Sequence, residues 1–319
     1  MLRTRTATAA VCLLAFTGLS TAPAFADGLT VPRGAASPAA AYGDPKHDDP
    51  KHDGSARAYV TNVEGNAVSV IDTKTDAVTT TIPVGERPLD VAITPNGGRA
   101  YVTNNNSDSV SVIDTKTNTV TSTIPVGDGP DSVAVTPKGD RVYVTNEGNN
   151  TLSVIDTKTG TVTAIPAGGD GPVDLAIAPN GQRVYVINAL SDNVSVIDTK
   201  TNTVITTIPA GNLPNGVAVT PNGQRAYVTN LNGRTVSVID TKTDAVTTTI
   251  PVGALPRDVA FTPKGDRAYV ANQGDDTLSV IDTKTETVTS TIPAGDGPVG
   301  VAITPVTVDK PHCGPCQAR

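Results

Sequence analysis

Three aspartates are the side chains of this sequence whose spacing most suggests chemistry. Asp90, Asp174 and Asp258 each stand two positions after a proline in every second copy of a 42-residue repeat. The copies in between carry small residues there: Ser132, Gly216 and Gly300. If the copies surround an axis, the three carboxylates converge with threefold spacing, and hard cations such as calcium bind carboxylate oxygens. The alternative is that each aspartate hydrogen-bonds to the backbone of its own turn.

A second set of potential metal ligands lies near the two ends of the chain. Its members are His47, His52, His312, Cys313 and Cys316. If both ends emerge beside the same part of the fold, these imidazoles and thiolates could surround zinc or copper. The alternative for the two cysteines is a local disulfide in an oxidising compartment. Their Cys-Gly-Pro-Cys pattern is that of thioredoxin-like redox sites, but no βαβ unit surrounds it, so that activity is not predicted.

The repeats lack the side chains on which most enzymes depend. Residues 57–305 contain no histidine, cysteine or methionine. Hydrolases and lyases most often use histidine as a general base, and haem proteins use these residue types as axial ligands. An enzyme built on these repeats would therefore rely on carboxylates and an assisting metal.

A tetrapeptide of the form Tyr-Val-Thr-Asn recurs at an unvarying interval of 42 residues. The copies begin at Tyr59, Tyr101, Tyr143, Tyr185, Tyr227 and Tyr269. Each repeat contains four short segments rich in Val, Ile, Thr and Tyr, separated by turn residues. This period with four strands predicts an all-β fold, a single β-propeller of four-stranded blades. Within each blade, an arginine and an aspartate such as Arg99 and Asp114 are predicted to form a cross-strand ion pair.

The two ends of the repeat region, residues 57–305, complement each other. Residue 57 opens a unit that lacks its first strand, and residues 298–305 form a first strand with no followers. The C-terminal strand is therefore predicted to pair with the N-terminal strands, which closes a ring of six blades. Closure removes two free sheet edges that would otherwise favour aggregation. One unit, in which Ile165 arrives a residue early, is predicted to have a shorter fourth strand.

These motifs resemble the YVTN family of β-propeller repeats, typified by archaeal surface-layer proteins. The resemblance rests on Tyr101-Val102-Thr103-Asn104, Ser111-Val112-Ile113-Asp114-Thr115 and Ile124-Pro125-Val126-Gly127, with equivalents in the other units. It covers residues 57–305 and implies a location outside the cell or in the cell envelope and a role in interaction. The chain departs from the family pattern where Ile187 and Ala271 replace threonine, and in having six units where family members are often seven-bladed.

The six units differ from one another mainly in two of their four loops. Antiparallel pairing places the loops after the second and fourth strands at one end of the propeller, the variable face. The nearly constant turns after the first and third strands lie at the other end, the hairpin face. Loops on a rigid scaffold usually carry recognition, so the variable face is predicted to bind; the alternative is drift of unconstrained loops. The candidate binding residues are Glu64, Arg87, Asp90, Asp108, Glu147, Asp174, Asp192, Arg234, Asp258 and Asp275.

The segments outside the repeats indicate export. Residues 1–26 have a positive start, a short apolar stretch and a small-x-small cleavage site, which together predict a signal peptide. Residues 27–56 are rich in Ala, Gly, Pro and Asp and are predicted to be disordered. Residues 306–319 form a tail that contains the Cys-Gly-Pro-Cys sequence. A formal charge of −7 without a basic patch disfavours nucleic acid as a partner, and no later segment is apolar enough for membrane insertion.

Together these features predict a secreted or cell-surface propeller that acts as a non-catalytic scaffold for binding and adhesion. The expected partner is a protein or a glycan at the cell envelope, bound through the variable face. The cofactors that the sequence suggests are calcium at the three aspartates and zinc or copper at the second set of ligands, and none is required by the prediction. The alternative is an extracellular propeller enzyme of lactonase or lyase type that uses metal-assisted carboxylates.

Overall fold

The computed structural model of the protein describes residues 56–303, which form six antiparallel sheets. Five sheets have four strands and one has three, and the strands of each sheet are neighbours in sequence order. The predicted all-β propeller with four-stranded blades is therefore confirmed. Within the described range, no helix is long and apolar enough to cross a bilayer.

Each sheet is called a blade and numbered from the N-terminus. Blade 1 contains β1 (Arg57–Asn62), β2 (Ala67–Asp72) and β3 (Ala77–Pro83); blade 2 contains β4 (Pro88–Ile93), β5 (Arg99–Asn104), β6 (Ser109–Asp114) and β7 (Thr119–Pro125). Blade 3 contains β8 (Pro130–Val135), β9 (Arg141–Asn146), β10 (Thr151–Asp156) and β11 (Val162–Pro166); blade 4 contains β12 (Pro172–Ile177), β13 (Arg183–Asn188), β14 (Asn193–Asp198) and β15 (Thr203–Pro209). Blade 5 contains β16 (Pro214–Val219), β17 (Arg225–Asn230), β18 (Thr235–Asp240) and β19 (Ala245–Pro251); blade 6 contains β20 (Pro256–Phe261), β21 (Arg267–Asn272), β22 (Thr277–Asp282) and β23 (Thr287–Pro293). Short 3-10 helices follow the second strand of blades 2, 3 and 4, at Asn105–Ser107, Glu147–Asn149 and Ala189–Ser191.

The hydrophobic core lies between neighbouring blades, not within any one of them. One cluster joins Tyr101 of blade 2 to Val133 and Val144 of blade 3. In another, the Tyr227 ring of blade 5 meets the Phe261 ring of blade 6 edge-on, with centroids 4.9 Å apart. Because a blade has a neighbour on each side, its inner strands bury both faces, and β-branched residues fill both sides of the pleat. The fourth strands, at the rim, alternate exposed and covered side chains.

An asparagine ends each second strand, and in blades 2 and 5 its amide oxygen ties the blade to the preceding one. In blade 5, the Asn230 amide nitrogen donates to Thr235 Oγ1 and Ser237 Oγ at 3.0 Å each, and the amide oxygen accepts the Gly211 N–H at 3.0 Å. Gly211 belongs to the loop that leaves blade 4, so the asparagine spans the seam. A methyl carbon at Gly211 would lie 2.4 Å from Asn230 Cγ. The equivalent glycines at the other seams are equally close to an asparagine: Gly85, Gly127, Gly169 and Gly253.

Blade 3 differs from the other blades in the pairing of its outer strands. In blade 2 the residue Thr121 is left out of the ladder between β6 and β7, and the same one-residue skip recurs in blades 1, 4, 5 and 6. In blade 3, residues 151–155 pair without interruption with residues 162–166, and β11 has 5 residues where β7 has 7. The predicted shorter strand is confirmed, and the residue it lacks is the one that bulges elsewhere.

The arginine that opens each second strand contacts the next blade. Arg99 lies opposite Asp114 in the strand register, as the sequence suggested. However, its Nη1 donates to the main-chain oxygen of Thr157 in blade 3 at 2.8 Å. The Asp114 carboxylate accepts the N–H groups of Lys116 and Thr117 in its own hairpin, at 2.9 Å each. The prediction of an ion pair within the blade is wrong here, because each group has a hydrogen-bonding partner elsewhere.

The predicted closure of the ring is not formed by the described residues. Residues 298–303 are not in a strand and do not pair with β1. The Val301 N–H nevertheless donates to Asp258 at 3.0 Å, as the equivalent valine does at two other seams. At this same seam, a methyl carbon on Gly295 would meet nothing within 4 Å. Closure into six complete blades therefore stays a prediction, since residues 304 and 305 lie outside the described range.

Removal of residues 298–319 tests ring closure. We expect the shortened protein to lose about 1–3 kcal/mol of unfolding free energy, because Asp258 loses the Val301 N–H in a partly buried site. We also expect it to self-associate, because blade 1 keeps a free edge. Chemical denaturation and light scattering measure the two effects, with a chain ending at residue 309 as control. A shortened protein that is monomeric and as stable as the control would contradict closure.

Candidate functional site

The loops after the second and fourth strands meet at one end of the propeller. The Glu147 N–H in a second-strand loop donates to the Gly129 oxygen in a fourth-strand loop at 3.0 Å. At the other end, the Thr157 hydroxyl in a hairpin donates to the Gly139 oxygen in a first-strand turn at 2.7 Å. Both contacts recur in other blades. The division into a variable face and a hairpin face is thus present in the structure, while binding by the variable face stays a prediction.

Two of the predicted binding residues hold the loops of the variable face in place. Asp108 accepts the Gly129 N–H at 2.8 Å, and Asp192 accepts the Leu213 N–H at 2.7 Å. In blade 1 the same role is filled by Asn66. Because an asparagine serves equally well, the loop geometry does not require the negative charge. Both carboxylates remain exposed, so their charge is presented to the solvent.

The other predicted binding residues on the loops are distributed around this face. Arg234 of blade 5 and Asp275 of blade 6 form an exposed ion pair across their seam, with Nη2 and Oδ2 3.2 Å apart. Glu64, Arg87 and Glu147 are exposed on other blades. These five residues lie on different loops and form no single cleft; they give the face a charged rim.

The structure brings Asp90, Asp174 and Asp258 to one small cavity at the centre of the propeller, with a volume of about 40 Å³. All three lie on first strands, and the first strands of blades 2–6 contact one another in series. Polar side chains of first strands contribute further to the lining: Asp131, Ser132, Asn215 and Arg257. The convergence expected from the alternate spacing of the aspartates is therefore present.

Asp90 connects blade 2 to blade 3. Its Oδ2 accepts the Val133 N–H at 2.8 Å and the Ser132 hydroxyl at 3.1 Å, and its Oδ1 accepts the Val91 N–H at 2.7 Å. Burial raises the pKa of Asp90 to about 8; the Val133 hydrogen bond opposes this shift and the charge of Asp174 adds to it. At neutral pH the neutral form is therefore well populated.

The other two axial aspartates make the same kind of link. Asp174 accepts the Val217 N–H at 2.8 Å, and its Oδ1 lies 3.0 Å from the Ser132 hydroxyl, which it shares with Asp90. Asp258 accepts the Val301 N–H, and burial raises its pKa to about 7, opposed by that hydrogen bond and increased by the charge of Asp174. Each carboxyl group thus joins its own blade to the first strand of the next blade. For Asp258, the segment that contains Val301 takes the place of that strand.

The predicted calcium site is not formed by Asp90, Asp174 and Asp258. Among residues 56–303, no three His, Cys, Asp or Glu side chains are grouped so as to hold a metal ion. The carboxylate oxygens instead accept hydrogen bonds from Ser132 and from the backbone of neighbouring blades. The alternative zinc or copper site, and the disulfide between Cys313 and Cys316, fall outside the described residues.

Three lining residues of the central cavity were missed by the sequence reasoning: Asp131, Asn215 and Arg257. Each directly follows the first-strand proline of its blade, in blades 3, 5 and 6, where the other units carry the apolar Leu89, Val173 and Val299. A polar residue at this position in three of the six units, and an apolar one in the other three, was the signal that could have identified them. Asp131 is 5% exposed, and Arg257 Nε donates to Gln273 Oε1 at 2.7 Å.

A group of leucines on the variable face was also missed. Leu190 of blade 4 is 72% exposed, and Leu255, in the loop after blade 5, is 38% exposed. Leu213 and Leu255 have φ angles of 51° and 49°, in the left-handed region. Three of the equivalent loops place glycine there: Gly129, Gly171 and Gly297. A bulky side chain rarely adopts this conformation, so these leucines are held in a strained backbone that glycine would relieve.

Comparison with solved structures confirms the architecture. The protein is similar to Kuenenia stuttgartiensis hydrazine synthase, with a TM-score of 0.71 and 26% sequence identity over 78% of this chain and 86% of that chain. It is also similar to a functionally unknown protein from Desulfotomaculum acetoxidans, with a TM-score of 0.69, 18% identity and the same coverage. The second likeness shows the fold alone. A search of curated proteins found no match.

Comparison with protein families gives three overlapping matches to one family. They cover residues 73–207, 114–248 and 163–303. Each match starts about one repeat after the previous one, because every repeat resembles the next. The family description names seven blades, whereas the described residues form six sheets. The narrower resemblance to YVTN repeats of surface-layer type stays a prediction. Since the matches together span more than half of its length, the chain belongs to the family described as Lactonase, 7-bladed beta-propeller.

Proposed function

We propose that the protein is an exported, non-catalytic binding scaffold whose variable face docks a protein partner at the cell envelope. The observation that carries the proposal is the strained backbone of Leu213 and Leu255. A left-handed conformation destabilises a residue other than glycine by about 1–2 kcal/mol. Sequences retain such strain where a side chain serves function, and here both side chains lie on the variable face.

The chemistry of the variable face favours a protein over a glycan. Leu190 and Leu255 supply exposed apolar surface, and Leu213 lies between them in sequence, partly covered by the core. Asp192 and Asp275 lie on loops of the same face. An apolar area with a polar rim is typical of protein interfaces. The loops of this face contain no aromatic residue on which a sugar ring could stack. The expected partner therefore presents an apolar patch with basic residues around it.

Replacement of both strained leucines by glycine separates binding from stability. For Leu213→Gly with Leu255→Gly, we expect the unfolding free energy to change by no more than about 1 kcal/mol, because relief of strain offsets both the lost packing of Leu213 against the core and the greater freedom of the unfolded chain. We expect capture of the partner from a cell-envelope extract to fall about tenfold or more, because leucine burial is lost. Quantitative mass spectrometry of the captured proteins measures this.

The matched control is Ile205→Thr. Ile205 is 49% exposed on β15, away from the variable face, and other blades carry threonine at its position. Capture should not change in this variant. Equal capture by the double glycine variant and the unsubstituted protein would contradict docking through the leucines. Loss of capture after deglycosylation of the extract would replace the protein partner with a glycan.

A second candidate function is hydrolysis of a lactone, favoured by the family description and by two central carboxyl groups with raised pKa values. The geometry supports it less well. The central cavity of about 40 Å³ is far below the roughly 300–1,000 Å³ of sites that enclose small-molecule substrates. The similar structure from Kuenenia stuttgartiensis is named a hydrazine synthase, and that activity belongs to that protein. The repeats of this chain contain no histidine, cysteine or methionine that could serve redox chemistry.

An activity assay with small lactones distinguishes the two functions. We expect no turnover above the rate in buffer, with or without calcium. Turnover that disappears on chelation and in Asp174→Asn would establish the enzyme and overturn the scaffold as the primary function. The same preparation should be used for both the assay and the capture experiment, so that folding is common to the two results.

A further inference from the structure

Four of the five seams between the described blades carry the same contact on the hairpin face. The arginine that opens a second strand donates to a main-chain oxygen in the next blade's hairpin, as Arg57 does to Thr115 at 2.8 Å and Arg183 does to Thr241 at 2.7 Å. The hairpin then contributes a further side chain that fills the seam. These seam-filling residues are Asn118, Asn202, Asp244 and Glu286.

Two of these seam-filling residues are carboxylates bound to the arginine. Arg183 Nη1 and Asp244 Oδ1 are 2.6 Å apart at the seam of blades 4 and 5. Arg225 and Glu286 form the equivalent ion pair at the seam of blades 5 and 6. The fold itself therefore shows that an oxyanion fits against this arginine, with the geometry of a charge-assisted hydrogen bond.

The seam of blades 2 and 3 lacks its filling side chain. The equivalent hairpin position is Gly160, and a methyl carbon there would meet nothing within 4 Å. A cavity of about 340 Å³ opens at this seam, lined by Arg99, Tyr101, Lys138 and Thr157, among others. Arg99 keeps its contact with the Thr157 oxygen at 2.8 Å. The opening thus lies beside an arginine that is already oriented.

The charges at this seam favour an anion. Arg99 and Lys138 both line the cavity, whereas three other units have asparagine in place of the lysine. The seam of blades 5 and 6 has a lysine at the equivalent position, Lys264, but there Glu286 supplies the negative charge. The aspartate of each hairpin, such as Asp114, Asp156 or Asp282, accepts hydrogen bonds from the backbone of its own hairpin. Because this arrangement is common to the seams, it does not explain why their charges differ.

We infer that the seam of blades 2 and 3 is a binding site for a small molecule that carries an oxyanion, either a carboxylate or a phosphate. Arg99 and Lys138 hold the anion in the place that Glu286 fills at the sister seam. The volume exceeds that of a single ion and accommodates a small organic acid or a phosphorylated sugar beside Tyr101 and Thr157. The site is on the hairpin face and is independent of the binding proposed for the variable face.

Calorimetric titration at constant ionic strength tests the site, with acetate, glucuronate and inorganic phosphate as probes. We expect one equivalent of at least one probe to bind, and the preferred probe separates a carboxylate ligand from a phosphate ligand. Gly160→Glu should abolish binding, because it supplies the carboxylate of Glu286. Lys138→Asn should weaken binding about tenfold, since one charged contact is lost. Both substitutions reproduce residues of sister repeats, so the fold should tolerate them.

Two variants of the sister seam serve as controls. Lys264→Asn should leave binding unchanged, and Glu286→Gly should create a second site of the same kind beside Arg225. Circular dichroism confirms that each variant is folded. Failure of the unsubstituted protein to bind any of the three probes would overturn the inference. Undiminished binding by Gly160→Glu would also overturn it, because the anion would then lie elsewhere.

Discussion

Gly211→Ala is expected to lower the unfolding free energy by about 2–3 kcal/mol. Its new methyl carbon would lie 2.4 Å from Asn230 Cγ and 2.9 Å from Asn230 Cβ. Asn230 cannot move aside easily, because it is fully buried and its amide is hydrogen-bonded to Thr235, Ser237 and the Gly211 N–H itself. Overpacking of a rigid site forces the backbone to shift, and the two blades must separate at their seam. Urea denaturation measures the effect.

Gly65→Ala provides the comparison for this effect. Gly65 also lies in a loop of the variable face, but its methyl carbon would be 3.5 Å from the nearest atom, which is an ordinary contact. We expect no loss and a gain of up to about 1 kcal/mol from the reduced freedom of the unfolded chain. Asn230→Ala should also relieve part of the clash in combination with Gly211→Ala, so the two effects should not add. Equal stabilities of Gly211→Ala and Gly65→Ala would contradict the contact.

The protein is expected to be most stable in mildly acidic solution and to lose stability as the pH rises towards 8. Burial raises the pKa of Asp90 to about 8 and that of Asp258 to about 7, above the usual 3.8 of an aspartate. Between these values the folded state holds protons that the unfolded state has released. The unfolding free energy therefore falls with rising pH, by up to about 1.4 kcal/mol per pH unit for each group.

The hairpin aspartates act in the opposite direction at lower pH. Backbone N–H groups in their own hairpins lower the pKa values of Asp114, Asp156, Asp198, Asp240 and Asp282. Their contribution is present above the usual aspartate pKa and is lost as the pH falls through the lowered values. The central aspartates and the hairpin aspartates together place the maximum of stability at about pH 4–5.

Asp90→Asn isolates the central contribution to the pH dependence. The amide imitates the neutral carboxyl group, so the variant should lose less stability between pH 5 and pH 8 than the unsubstituted protein. Thermal or urea unfolding across this range measures the slope. Asp108→Asn is the control, since Asp108 is exposed and Asn66 fills the same role in blade 1. An unchanged slope in Asp90→Asn would show that the central carboxyl group does not carry the proton.

The fold was predictable from the sequence because every repeat carries the same signals for strands and turns. A fixed period, β-branched strands and turn residues at constant positions specify four strands per blade. The early arrival of Ile165 indicated the short strand of blade 3, although not that the missing residue was a bulge. Pairing within a blade is local, which is why its register, such as Arg99 opposite Asp114, followed from spacing alone.

Contacts between blades could not be predicted, because spacing within one repeat does not show which side chains cross a seam. Arg99 was assigned to Asp114 and instead reaches Thr157. Asp90 was assigned to calcium or to its own turn; it accepts the Val91 N–H beside it, as the second alternative expected, but its link to Val133 of the next blade was not foreseen. The same limit applies to the proposed oxyanion site. There the informative residue is Gly160, which has no side chain where the equivalent hairpins have one. Backbone strain at Leu255 had a signal in the glycines that other repeats place at its position, Gly129, Gly171 and Gly297.

Photo-crosslinking from the two ends of one blade tests most directly whether the variable face is the docking surface. One crosslinking residue replaces Asp192 on the variable face, and another replaces Lys200 on the hairpin face of the same blade. With envelope extract, we expect one discrete protein adduct from position 192 and none from position 200. An adduct of equal yield from both positions, or from position 200 alone, would contradict the account.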